Sequence, residues 1–378
     1  MTVSTGLASG PFRGAVFVLA ASVLWGTTGT AATFAPAVSP LAIGAVAMGV
    51  GGLLQALYAA HPISAQWRLL VKRWPLLSLG ALAVAVYPLA FYTSMHLAGV
   101  AVGTVVSIGS APVAAAVIER LVDQKPLTCR WMVGALITVG GAVLLSFAGH
   151  QSDGGGARPA AASAESWAGT SWASAAGIAL GLVAGTTYAL YSWAAHRLIG
   201  GGVSSRAAMG TVFGVGGVLL MPLLLFTGRP LLETWTNFTV GAYMALVPMF
   251  AGYVLFGWGL ARVRASTATG LSLVETVVAA VLAVLVVGER LPAAGWIGAA
   301  TVLAGLFFLV PRASPQWQQR LNGPGLRGLP ATAAATEGML VQREVSPQNH
   351  QEQPRDSYTD DLAAGSRDEE HKAEQARG

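Results

Sequence analysis

Ten apolar segments, each about as long as a bilayer is thick, constrain this chain more than any other feature. They run over roughly 14–34, 40–60, 75–97, 101–121, 131–148, 174–196, 207–227, 238–260, 266–287 and 293–311. A backbone surrounded by hydrocarbon must satisfy its own polar groups, so each segment is predicted to be a helix. Only 10% of the residues are charged, against about 25% in a soluble domain. The first segment continues through Trp25 to Phe34, too long for a signal peptide's apolar region, and reads as a retained helix. The expected fold class is an all-α membrane protein with ten transmembrane helices.

Lysine and arginine predict the orientation. With the N-terminus inside, the inner segments hold Arg13, Arg68, Lys72, Arg73, Arg120, Lys125, Arg130, Arg197, Arg206, Arg262, Arg264, Arg312, Arg320 and Arg327. The outer loops hold Arg158, Arg229 and Arg290. Basic residues favour the cytoplasmic side, so both termini are expected in the cytoplasm of a plasma (inner) membrane protein. The net charge of +5 is scattered between apolar segments and is no nucleic-acid footprint. Cys129, the single cysteine, excludes an intrachain disulfide framework.

One carboxyl stands out against this background. Glu275 lies about nine residues into the apolar run that starts at Ser266. At ~1.5 Å per residue that is ~14 Å deep, near the middle of the hydrocarbon. An acid there costs at least ~2.5–3.5 kcal/mol, so such residues face a bundle interior or a watery path. The expected role is substrate binding or proton coupling. The alternative is a hydrogen-bonded packing residue.

The chain also repeats itself. Gly26-Thr27-Thr28 recurs as Gly185-Thr186-Thr187, an offset of 159. Ala111-Pro112-Val-Ala-Ala-Ala-Val and then Gly134…Gly141 recur as Glu275-Thr276-Val-Val-Ala-Ala-Val and Gly298…Gly305, an offset of 164. Each piece is weak alone, but their collinear order indicates duplication. Five helices per copy is odd, so the second copy must run inverted. Inverted repeats place a substrate site at their interface near the midplane. The expected organisation is a first repeat over 14–148, an external Gly/Ala/Ser linker over 149–173, a second repeat over 174–311, and a polar tail over 312–378. The tail has too few apolar residues to bury a core and reads as disordered.

Over about residues 14–311 the chain resembles the EamA-type transporters of the drug/metabolite transporter superfamily. The resemblance rests on Leu24-Trp25-Gly26, Phe91-Tyr92 with Met95, its echo Phe256-Gly-Trp258-Gly-Leu260, Ala111-Pro112, and Leu273-Val-Glu275-Thr followed by Gly288-Glu289-Arg290-Leu291. The sequence departs from that family in three places. Thr276 stands where proline is usual, the first repeat has Asp123-Gln124-Lys125-Pro126 in place of Gly-Glu-Arg, and the second helix lacks an arginine. The resemblance implies ten helices, both termini inside, and transport of small metabolites, often export of amino acids or related compounds.

The candidate substrate or coupling residues are Glu275, Ser272, Trp25, Thr28, Tyr188 and Tyr191. Thr269, Ser272, Glu275 and Thr276 share one helical face, which should point inward. Trp25 and Thr28 lie one turn apart, and Thr187 pairs with Tyr191 at i, i+4. Aromatic rings with polar tips suit a substrate of mixed character, though helix packing explains the same residues. Tyr87-Pro88 is expected to mark a kink or hinge in the third helix. Glu119, Arg120, Asp123, Lys125 and Arg130 are expected to be solvated at the inner surface. Glu289-Arg290 is expected at the outer rim, fixing a loop or gating rather than touching substrate.

Enzyme chemistry finds no motif: no Gly-x-Ser-x-Gly, no His-Glu-x-x-His, no P-loop and no Cys/His cluster. No catalytic residue, metal or cofactor is therefore expected, and any active transport must be secondary. The leading expectation is export of an amino acid or amphipathic compound, with protons as coupling ion and a homodimer as a candidate assembly. One alternative is passage of lipophilic cationic drugs. Another is a non-transporting sensor or assembly partner acting through the tail.

Overall fold

Helices account for all the regular secondary structure of the described residues, which are 10–150, 172–288 and 290–310 of a computed structural model. The tail, Glu289 and all but the ends of the expected linker lie outside them. Among the described residues, nine helices are long and apolar enough to span a bilayer. They are α1 (Gly10–Thr33), α2 (Pro40–Tyr58), α3 (Trp74–Ala98), α4 (Val102–Val122), α5 (Cys129–Ala148), α6 (Trp172–Gly200), α7 (Ser205–Thr227), α8 (Trp235–Leu260) and α9 (Ala265–Val287). The tenth, α10 (Ala293–Leu309), is apolar throughout but has only 17 residues. Leu57, Leu121, Leu136, Leu225 and Leu285 are exposed on the bundle, a surface suited to lipid rather than water.

Helix ends sort onto two faces. On the face carrying the start of α1, Arg130 at the start of α5 donates to the carbonyls of Phe307 and Val310 at the end of α10. Asp123, beyond the end of α4, pairs with Arg197 at the end of α6 at 2.7 Å. Gln66, after α2, accepts from the backbone of Ser204, just before α7. On the opposite face, Ser94 near the end of α3 donates to the Gly177 carbonyl near the start of α6. Successive helices therefore run in alternating directions.

The duplicated glycine stretches pack against each other. A β-carbon on Gly141 would come within 2.8 Å of the Gly298 carbonyl oxygen, and one on Gly298 within 2.9 Å of the Gly141 oxygen. Likewise a β-carbon on Gly134 would meet the Gly305 oxygen at 3.2 Å, and the reverse contact is 3.0 Å. Applying the 164-residue offset to either contact yields the other. That reciprocity is the signature of a two-fold axis relating inverted copies, here running through the α5–α10 interface. The second duplicated piece behaves the same way. Gly26 in α1 abuts Val278 and the Glu275 carbonyl of α9, and Gly185 in α6 abuts the Ser107 carbonyl and Ala111 nitrogen of α4. Each repeat lends its first helix to the other's fourth.

The two copies differ in continuity. α3 and α4 run unbroken through Pro88 and Pro112. Neighbouring helices can accommodate proline in lipid without ending the helix. The breaks lie elsewhere. α1 divides at Thr27 into Gly10–Gly26 and Thr28–Thr33, and α9 divides at Leu273 into Ala265–Ser272 and Val274 onward. Both sit beside threonine or serine hydroxyls that bond back to their own helix: Thr27 to Leu24, Thr28 to Trp25, Ser272 to Thr269 and Thr276 to Leu273. Such back-bonding competes with the helical ladder and bends it. Short π-helical stretches interrupt α2 at Val46–Val50 and α8 at Ala245–Ala251.

Candidate functional site

The breaks in α1 and α9 lie side by side, because Gly26 leaves room for the Glu275 backbone. Around them opens a cavity of about 600 Å³. Its lining comes from the halves of α1, α2, α3, α4, α5 and α9 nearer the face opposite the N-terminus, and it reaches Arg290, which is exposed. Towards the N-terminal face it ends on Trp25, Tyr188, Tyr191 and Tyr253, all nearly buried. The cavity is therefore open to one face and shut to the other.

That floor is a packed aromatic layer. Trp25 lies 4.8 Å from Tyr253 between ring centres, and Tyr188 stacks on Tyr191 at 5.2 Å. The polar tips are tied off. Trp25 Nε1 donates to the Pro248 carbonyl at 2.9 Å, inside the π-helical stretch of α8. The hydroxyls of Tyr191 and Tyr253 share a hydrogen bond of 2.7 Å, and Tyr188 donates to Ser272 Oγ at 2.9 Å. The walls are formed by Tyr87, Phe91 and Tyr92 from α3 and by Met48, Met244 and Met249 from α2 and α8.

Glu275 occupies the cavity wall just past the α9 break. Its carboxyl makes no hydrogen bond or ion pair with any described residue, so its oxygens are free to meet a proton, water or a ligand. The other charged residue among the described lining is Arg290. It stands at the mouth, some 15 positions along α9 and its exit from Glu275.

Five of the six residues singled out in the sequence, Glu275, Trp25, Thr28, Tyr188 and Tyr191, line this one cavity. Ser272 does not. It is fully buried behind the floor, where it receives the Tyr188 hydroxyl and donates to the Thr269 carbonyl. The break at Leu273 explains the difference, since the face shared by Thr269 and Ser272 does not continue unturned to Glu275 and Thr276. Arg290 lies at the exposed mouth of the cavity, the outer rim expected for it. Sequence reading missed Tyr253 and the methionines of the wall. The i, i+4 spacing of Met249 with Tyr253, and of Tyr87 with Phe91, is the signal that could have found them.

Removing the Tyr188 hydroxyl tests the floor. Tyr188→Phe should lower stability by about 0.5–1.5 kcal/mol, the worth of one neutral hydrogen bond, read as a small drop in Tm in detergent. An unchanged Tm would mean the bond to Ser272 contributes nothing.

A family model described as the EamA-like transporter family matches residues 12–147 and again 175–310. The "Uncharacterized transporter YwfM" of Bacillus subtilis (strain 168) is 34% identical over 305 residues, covering 80% of this chain and 95% of that protein. An "Uncharacterized transporter" of Clostridium kluyveri is 31% identical over 134 residues, 34% of this chain and 42% of that one. A solved crystal structure with 18% identity superposes with a TM-score of 0.60, covering 78% of this chain and 96% of its own, and shares the fold.

Proposed function

The chain belongs to the EamA-like transporter family, and from that premise we propose that it is a secondary transporter exporting a small amphipathic metabolite, with an amino acid as the leading class. The single observation that carries this reading is the unpartnered Glu275 carboxyl on the wall of a cavity that opens to one face. A protonated Glu275 is neutral and has no claim on a cation. An ionised Glu275 attracts an ammonium group. Proton and substrate then exclude each other at one site, and alternating access converts that competition into antiport. With the N-terminus in the cytoplasm, the open face is the outside, and the cavity is in its proton-loading, substrate-releasing arrangement. Comparing metabolites in medium and cells with and without the protein tests the reading directly. A compound that accumulates in the medium only when the protein is present names substrate and direction, and equal profiles would refute export.

A second substrate reading, a lipophilic cation, is favoured by the wall itself. Tyr87, Phe91, Tyr92 and Trp25 offer aromatic faces beside a single acid, which suits a delocalised positive charge. Competition by tetraphenylphosphonium against metabolite flux in liposomes would separate the two. The third possibility, a sensor working through the tail, predicts no saturable flux from the chain lacking residues 320–378.

The orientation has its own test. With Cys129→Ser as background, cysteines at Ala37 and Thr236, both exposed on the open face, should react with an impermeant thiol reagent in intact cells. A cysteine at Ser64, and native Cys129 in the otherwise wild-type chain, should react only in inverted vesicles. The opposite pattern would reverse the direction argued above.

A further inference from the structure

Glu119 is a buried acid, and nothing in the transport scheme above uses it. Its place near the end of α4 suggests a solvated surface residue, yet it is fully buried. Its Oε2 accepts from Ser266 Oγ at 2.6 Å, and its Oε1 from the Ser266 backbone nitrogen at 3.3 Å. Ser266 lies in the first turn of α9, where helix N–H groups lack partners, so Glu119 supplies from the first repeat the cap that the second repeat's helix lacks. The contact crosses between repeats on the face to which the cavity is shut.

From Ser266 a buried polar track leads to the cavity floor. Thr269 donates to the Ser266 carbonyl at 3.2 Å, Ser272 donates to the Thr269 carbonyl at 2.8 Å, and Tyr188 donates to Ser272 at 2.9 Å. Every residue of Ala265–Ser272 is buried. Beyond the break at Leu273, only Val277 of the segment Val274–Leu282 is buried, and Glu275 faces the cavity. The inner half of α9 is thus a rod clamped at both ends, and the outer half is a cavity wall.

The inverted repeat shows that this clamp is one-sided. Shifting by 164 residues carries Glu119 to Ala283 and Ser266 to Val102, at the opposite face. Neither side chain can donate or accept a hydrogen bond. We propose that Glu119 is a positioning residue for Glu275: it clasps the inner half of α9 at the closed face, holds the bundle with its cavity open to the other face, and must release Ser266 before the closed face opens. This rests on the alternating-access reading, but its test does not require a known substrate.

The experiment reads access rather than flux. In the full chain with Cys129→Ser, a reporter Ala279→Cys on the cavity wall is labelled by an impermeant maleimide from each face of reconstituted membranes. Ser266→Ala and Glu119→Ala should slow labelling from the open face several-fold and speed it from the other. Glu119→Gln keeps an oxygen that can accept from Ser266 and should fall between them and the parent. A cap with a purely structural role would lower Tm in all three without shifting labelling between faces. If Glu119→Ala fails to fold, Ser266→Ala and Glu119→Gln carry the test. Unchanged or faster open-face labelling in those two overturns the proposal. Parent protein with normal labelling and no flux of any solute would instead count against the transporter reading.

Discussion

In proteoliposomes, Glu275→Gln should insert and fold like the parent, yet lose substrate flux driven by a proton gradient. The substitution keeps the shape of the side chain and removes only its capacity to exchange a proton for a charge. Two consequences follow from the geometry. An ammonium substrate loses a charge-assisted bond worth about 1.5–3 kcal/mol, which weakens its binding roughly 10- to 150-fold. On the antiport proposed above, acidifying the open face should inhibit substrate binding by the parent, because protons and ammonium would compete for one carboxyl. The same acidification should leave Glu275→Gln unmoved. The sign matters: inhibition by acid is expected on the side where the cavity is open, and acceleration of export by acid on that side is expected once the gradient is allowed to act through the full cycle. Wild-type flux with an unaltered pH profile in Glu275→Gln would make the carboxyl a packing group. Glu119 could not take over its task, since both its oxygens are engaged at Ser266 and it does not line the cavity.

The parts of this architecture legible in the sequence are those enforced by the bilayer. Lipid demands long apolar helices and penalises a stray acid, so the spans and the depth of Glu275 can be counted off the chain. Duplication is visible because Gly134…Gly141 and Gly298…Gly305 keep their order and spacing. That these same stretches embrace each other is not visible, because register across a helix pair depends on close backbone approach and not on composition. Ser272 shows a second limit. Its spacing from Glu275 placed both on one face of an ideal helix, and the break at Leu273 separates them. Glu119 shows a third. A charged residue near a helix end reads as solvated, and only the neighbouring start of α9 reveals a partner that lets it be buried. Tyr253 and Met249 were hidden by abundance, since aromatic and thioether side chains on an apolar helix are ordinary packing until a cavity is found between them.

The interface between α5 and α10 should tolerate almost no added bulk, and Gly141→Leu is expected to destabilise the chain by more than about 3 kcal/mol. Inserting methylenes into a packed site typically costs about 1–3 kcal/mol when side chains can shift. At Gly141 they cannot. A β-carbon would meet the backbone nitrogen of Val302 at 2.6 Å and the carbonyl oxygen of Gly298 at 2.8 Å, and both belong to a helix backbone. Relief requires α10 to move away, which also parts the reciprocal contacts of Gly134 with Gly305. The neighbouring glycine supplies the control. A β-carbon on Gly140 meets nothing within 4 Å, so Gly140→Leu adds the same bulk to the same helix on an exposed face and should leave Tm in detergent nearly unchanged. Both substitutions raise helix propensity equally, so the difference between them isolates the inter-repeat contact. A large fall in Tm for Gly141→Leu beside a small change for Gly140→Leu is the expected pair. Equal effects would mean that the two repeats are not held at this axis.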